Sequence, residues 1–192
     1  MQILPAHKYQ ASDIARLIML AMDYDCCRYF AGNGHTLEEF ESMMTKLVES
    51  EECQYSYLNT MVALNDNKQV MGICISYDGK DLHRLRAPFI NAAKESFGLD
   101  YSNIDDETQT GELYVDSLAV SEAYRHQGIA SSLLMAAIDK AEKMDIPAVG
   151  LLVDKGNPKA ERLYNKIGFE YINDTTWGGH RMKHLQFPVK VM

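Results

Sequence analysis

The stretch Arg125-His126-Gln127-Gly128-Ile129-Ala130-Ser131 stands where one periodicity gives way to another. Before it, LYVDSLAV reads as a strand; after it, Leu133, Leu134, Ala137, Ile138 and Ala141 recur at helical spacing. A helix start carries unpaired N–H groups and roughly half a positive charge, so it readily seats an anion. Gly128 and Ala130 keep side-chain bulk off that backbone, Ser131 and Ser132 offer hydroxyl donors, and Arg125 brings a fixed positive charge. The set suits a pyrophosphate. It is not the dinucleotide fingerprint GxGxxG, and no GxxxxGK(S/T) loop occurs. Taken alone, an empty strand-to-helix turn would look the same.

A second set follows. After the strand-like run ending at Val153 come Asn157, Ala160, Tyr164 and Gly168-Phe169, spaced N-x-x-A-x-x-x-Y-x-x-x-G-F. In this order and spacing the two sets resemble the GNAT superfamily of N-acetyltransferases, with the resemblance strongest over residues 112–170. It implies a mixed α/β (α+β) fold: a central, mostly antiparallel mixed sheet, splayed at a bulge and flanked by helices. It also implies acetyl-coenzyme A as co-substrate and no metal. Leu118, Ala119 and Val120 match the strand whose main chain pairs with the pantetheine arm. The amides of His126, Gln127, Gly128, Ile129, Ala130 and Ser131 match the diphosphate loop, with Arg125 flanking it. His126 reads as a solvent-facing loop residue before it reads as a catalyst. Asn157 matches a position that touches the cofactor arm or caps the following helix, and Lys166 one that contacts the adenosine end or is an ordinary solvated lysine.

The reaction implied is acyl transfer from a thioester to a primary amine by direct attack. An alkylammonium ionises near 10, so it must lose a proton first, and the departing thiolate leaves more easily when protonated. Tyr164 stands where the family places its acid; core packing is the plain alternative for a helix tyrosine. For the base, strand alternation puts Glu112, Tyr114 and Asp116 on one face, opposite Leu113 and Val115. Branches of the family carry histidine or glutamate at the Tyr114 and Asp116 positions, and this chain has neither there, so the base stays open. Asp116 acts through a water or as a partner for the ammonium, or only fixes hydrogen bonds; solvent is the remaining route. Acceptor candidates are Asp23, Tyr24, Asp25, Tyr29, the acidic stretch 103–107 and Trp177 to His180, which would suit a cation. The expected activity is an acetyl-coenzyme A-dependent N-acetyltransferase acting on a small-molecule or peptide amine. The alternative is a non-catalytic acyl-coenzyme A sensor of the same fold.

These residues need a scaffold, and composition bounds it. A chain of 192 residues, 46% hydrophobic and 24% charged, suits one domain over residues 1–192. A net charge of −8 argues against a nucleic-acid partner. No apolar run approaches the ~20 residues of a membrane span, and the N-terminal segment lacks a signal-peptide pattern, so the expectation is cytoplasmic. Cys26, Cys27, Cys53 and Cys74 form no CxxC pair, and the histidines show no ligand spacing, so neither disulfides nor a metal are expected. Dimers are frequent in the family, which leaves room for a homodimer.

Along the chain, Ser12-Asp13 read as the cap of a helix carrying Ile14, Leu17, Ile18 and Ala21. Thr36 with Glu39 reads as a capping box opening a helix to about Glu49. TMVALND and QVMGICISYD read as a hairpin turning at residues 65–68. A helix is expected from Pro88 to Phe97, then a loop, a strand, a helix over 128–144, a strand to Val153, a helix opened by Pro158, and two closing strands.

Overall fold

The computed structural model describes residues 1–190. Its strands are β1 (Gln2–Pro5), β2 (Thr60–Leu64), β3 (Val70–Asp78), β4 (Leu113–Val120), β5 (Ala148–Asp154), β6 (Glu170–Trp177) and β7 (His180–Pro188). They form one sheet in the order β1-β2-β3-β4-β5-β7-β6, antiparallel except for the β4–β5 pair. The helices are α1 (Ala11–Met22), α2 (Tyr24–Ala31), α3 (Leu37–Glu49), α4 (Leu82–Phe97), α5 (Ile129–Lys143) and α6 (Pro158–Ile167).

Alternation along the strands sorts side chains to two cores. Val62, Ile73, Ile75 and Ala119 pack with α1 to α4, while Leu113, Val115, Leu151 and Val153 pack with α5 and α6. Among the described residues no helix is long and apolar enough to cross a membrane, and the four cysteines are unpaired.

Local chemistry explains most boundaries. Thr36 Oγ1 accepts from the Glu39 amide at 3.2 Å and the Glu39 carboxylate accepts from the Thr36 amide at 2.8 Å, closing the capping box. The Asn65–Gln69 turn joins β2 to β3, with Asn65 Oδ1 accepting from the Gln69 amide at 2.9 Å.

Three expectations need correction, and two elements carried no signal. Helix α1 starts at Ala11, ahead of Ser12, whose hydroxyl accepts from Arg16 at 2.7 Å instead of capping. Helix α4 starts at Leu82, so Pro88 lies inside it; a single apolar face of Leu82, Leu85, Phe89 and Ala93 holds the helix through the missing N–H. The first closing strand runs past FEYIN, the segment at 169–173 that its composition marks, and reaches Trp177, while the second ends at Pro188, one residue beyond HRMKHLQF. Helix α2 is short and buries only Cys27, Phe30 and Ala31, too few to set a period, and β1 is an edge strand of four residues.

A buried polar knot ties the middle of the sheet to the loop before β4. The Glu112 carboxylate, fully buried, lies 2.8 Å from His184 Nε2 and accepts from Gln186 Nε2 at 2.7 Å and Thr108 Oγ1 at 2.6 Å. Burial alone would push that carboxyl up, but these hydrogen bonds outweigh it and leave it below its ordinary value. Gly150, opposite Gln186 on the next strand, has no side chain because one would land on the Glu112 carboxylate.

Gly150→Ala should therefore displace Glu112 and break the knot, costing about 3 kcal/mol. A thermal melt should show Tm falling by roughly 6–12 °C for a chain of this size; an unchanged melt would mean the knot yields without cost.

Candidate active site

The site begins with one extra residue in β4. Opposite β3, Ser76 pairs with Val115 and Ile75 with Ser117, so Asp116 has no partner and forms a bulge. The bulge reverses the alternation: Glu112 and Tyr114 face the α1–α4 side before it, Ser117 and Ala119 after it. It also bends β4 from β5, which it meets only at Leu113–Val149 and Tyr114–Gly150. Beyond that point the β4 backbone keeps its β3 partners on one side and has no strand on the other. The gap is a cavity of about 640 Å³ whose walls include Leu118, Val153, Asn157, Ala160 and Tyr164.

Past the end of β4 comes the α5 N-terminus, whose residues are not among those that line the cavity. His126 and Gly128 both adopt left-handed backbone, φ 63° and 78°, so successive amides turn toward one side. A Cβ at Gly128 would meet no protein atom, so the space before the helix is open. The Ser132 amide is the first to find a main-chain acceptor, Gly128 O at 3.0 Å; those ahead of it are the donors a helix start leaves over. The Ser132 hydroxyl donates back to Gly128 O at 3.3 Å, which corrects the expectation that it offers a free donor. Arg125 is half exposed; its Nε donates to Val120 O at 3.3 Å and its guanidinium lies 3.5 Å from Glu122.

In the middle, Asn157 Oδ1 accepts from the Ala160 amide at 3.2 Å, capping α6 while also lining the cavity. Tyr164 stands on the same wall and packs on Phe169. Burial, with a small push from Cys74, raises its phenol to about 12, so at neutral pH it carries its proton. Lys166 is exposed on α6, apart from the residues that line the cavity.

The other end is acidic and largely buried. Asp116 Oδ1 accepts from Ser117 Oγ at 2.8 Å, and its Oδ2 accepts from Gln54 Nε2 at 2.9 Å and Tyr77 OH at 3.3 Å. Glu107, 6% exposed, shares both of the latter donors, Tyr77 OH at 3.1 Å and Gln54 Nε2 at 3.5 Å. Arg86 from α4 pins the loop that carries Glu107 by donating to Ile104 O at 3.2 Å and Asp105 O at 3.0 Å, and lies 3.6 Å from Glu107 Oε2. Burial raises both carboxyls; the Asp116 charge adds to the rise at Glu107, while three donors restrain it at Asp116. Tyr114, 5% exposed, closes this end and is held far above its ordinary value by burial.

Of the acceptor candidates, the fold brings Asp23, Glu107, Trp177 and His180 to the cavity. It leaves Tyr24 and Asp25 exposed and places Tyr29 at a separate hollow with Tyr101 and Asp105. Gln54, Tyr77 and Arg86 carried no sequence signal, since each reads as an ordinary residue of its element. Among the described residues no group of three or more His, Cys, Asp or Glu is placed to hold a metal ion.

Comparison with known proteins agrees with this geometry. The sequence profile of the acetyltransferase (GNAT) family matches residues 23–169. An acetyltransferase of Agrobacterium fabrum is 45% identical over 65 residues, 34% of this chain and 46% of that protein, so the shared segment is less than half of that relative. The spermine/spermidine N(1)-acetyltransferase of Bacillus subtilis is 26% identical over 131 residues, 67% of this chain and 81% of its own length. A crystal structure of an acetyltransferase superposes with a TM-score of 0.80 at 27% identity, covering 99% of this chain and 100% of that one. With the matched profile spanning most of the sequence and the parted strands lying within it, the chain belongs to the GNAT acetyltransferase family.

Proposed function

We propose that this chain transfers an acetyl group from acetyl-coenzyme A to a primary amine of a small molecule or peptide. The observation that carries the reading is the gap itself. An unpartnered β4 backbone runs from a buried acidic end to the open start of α5, with Tyr164 on the wall between them. The thioester supplies an activated acetyl group; the chain supplies position and proton control.

Each part of the gap has a task suited to its chemistry. The main chain of Leu118, Ala119 and Val120, which has no strand on its gap side, pairs with the amides of the pantetheine arm as an added strand, although Val120 O already accepts from Arg125 Nε. The amides of His126 to Ser131 take the diphosphate, with the Arg125 charge beside them, and Asn157 on the cavity wall meets the cofactor arm. Lys166, on the same helix as Tyr164, is assigned to the adenosine end. Asp116 holds the acceptor ammonium by its charge, and Tyr114 shapes the space around it.

Tyr164 serves the leaving sulfur. As the nitrogen–carbon bond forms and the carbon–sulfur bond breaks, negative charge gathers on sulfur, and the second proton that the nitrogen sheds in becoming an amide ends on that sulfur. A phenol raised to about 12 does not hand its proton over freely to a thiolate whose thiol ionises near 8.5. It donates a hydrogen bond as that charge develops, which stabilises the transition state more than the ground state. The similarity to a spermine/spermidine N(1)-acetyltransferase supports an acceptor that enters as a cation.

Tyr164→Phe should lower kcat by about a hundredfold or more while the dissociation constant for coenzyme A, read by calorimetry, stays near that of the unaltered protein; unchanged turnover would remove Tyr164 from the reaction. Gly128→Ala, which puts a methyl group into the open space before α5, should weaken coenzyme A binding by roughly tenfold, the worth of one hydrogen bond to a charged group. Equal affinity in the two proteins would place the diphosphate elsewhere.

A further inference from the structure

The loop ahead of β4 brings to the acidic end a carboxylate that no motif marks. We propose that Glu107 takes the proton from the acceptor ammonium, with Asp116 as the fixed charge beside it, and that the acceptor is a cationic alkylamine. This rests on the acetyl-transfer reading above and assigns the proton acceptor that it leaves open.

The argument starts from charge. Glu107 and Asp116 reach for the same two donors, Tyr77 OH and Gln54 Nε2, and the single phenolic hydrogen can serve only one of them at a time. Among the described residues Arg86 is the one cation in contact. Its nearest approach to Glu107 is 3.6 Å, and it also faces Asp106 at 3.6 Å while donating to two carbonyls. With both carboxyls ionised the cluster carries a net negative charge in a buried place, which calls for a proton or a cation.

Hydrogen bonding decides which carboxyl exchanges the proton. Asp116 has a partner on each oxygen without Tyr77, Ser117 on Oδ1 and Gln54 on Oδ2, so of the two carboxyls its charged form is the better held, although burial raises it too. Glu107 keeps Tyr77 and Gln54 on Oε1 alone, and its Oε2 has the guanidinium at 3.6 Å, with the Trp177 indole a weak further donor to the carboxyl. One polar atom completes the picture. Gln54 is 2% exposed and its Oε1, on the amide that bridges the carboxyls, has no partner among the described residues. An ammonium has donors for Glu107, Asp116 and Gln54 Oε1 together.

The step balances within the site. One N–H bond of the ammonium breaks, its proton goes to a Glu107 oxygen, and the nitrogen keeps the electron pair as its nucleophile. The neutral carboxyl gives the proton to solvent once product has left. The groups facing Glu107 are Asp116 and Tyr114 on β4, Tyr77 on β3, Arg86 on α4 and Tyr55 from the segment before β2. Burial holds all three tyrosines far above neutrality, while Glu107, raised to about 7, is the carboxyl that titrates near neutrality.

The test follows thiol release from acetyl-coenzyme A with primary alkylamines, diamines and a lysine peptide, using the best acceptor from pH 5.5 to 9.5. Because the base must be ionised, kcat/KM of the unaltered protein should rise with pH to a plateau just above neutrality. Glu107→Gln should lose about a hundredfold at pH 7 and then keep rising in proportion to the free amine, with its coenzyme A thermal shift retained. Asp116→Asn removes the neighbouring charge and should move the rising limb to lower pH, which a purely structural role would not do; this reading also decides the matter if Glu107→Gln fails to fold. A Glu107→Gln profile equal to the parent's, or an unmoved limb in Asp116→Asn, overturns the assignment. Coenzyme A binding without thiol release to any amine by the unaltered protein overturns acetyl transfer itself, a distinguishable result.

Discussion

One unpaired residue sets the rest of the molecule. Asp116 is extra on β4, and because a sheet cannot absorb an extra residue without bending, β4 leaves β5 two pairs after they meet. Parallel neighbours that part this way expose main-chain N–H and C=O groups inside the protein. Such groups are costly unless paired, so the gap is stable with water or an extended ligand in it. The opening, the direction of the free backbone and the side chain at the break all follow from a single insertion.

The bulge also explains where the acidic end gets its charge. Asp116 and Tyr114 face the same side, where Tyr77 from β3 and the Glu107 loop converge, and by reversing alternation the bulge brings Ser117 to that side as well, beside Asp116. Holding two carboxyls there is unfavourable by itself. The fold offsets it with buried donors: Gln54 and Tyr77 for the pair, Arg86 for the loop. The Glu112–His184 knot lies a few residues along the same loop and strand, and Gly150 makes room for it. Stability and site geometry therefore share one stretch of chain, residues 104–117.

Features built from neighbours in sequence were legible. The Thr36–Glu39 box, the Asn65 turn, β4 and the α5 start each depend on residues within one turn or one strand of each other. Helix α4 was misplaced because Pro88 is a strong local signal that a distant apolar surface overrides. Helix α2 was missed because its cap, Asp23, accepts from Cys26 at 2.8 Å but too few apolar residues follow.

The sequence by itself determined the pattern proposed for the cofactor side, since a glycine at a helix start, a capping asparagine and a tyrosine two turns on act through local backbone geometry. It also determined that Glu112 and Tyr114 lie on one face of β4, because alternation is a property of any strand. Only tertiary structure decided that Asp116 is the residue left out of register, that Gln54, 62 residues away in sequence, binds it, and that Glu107 shares its donors. Those contacts join four separate elements. No periodicity records them, because the energy of a buried charge depends on what the fold brings within hydrogen-bonding distance and not on what stands beside it in the chain.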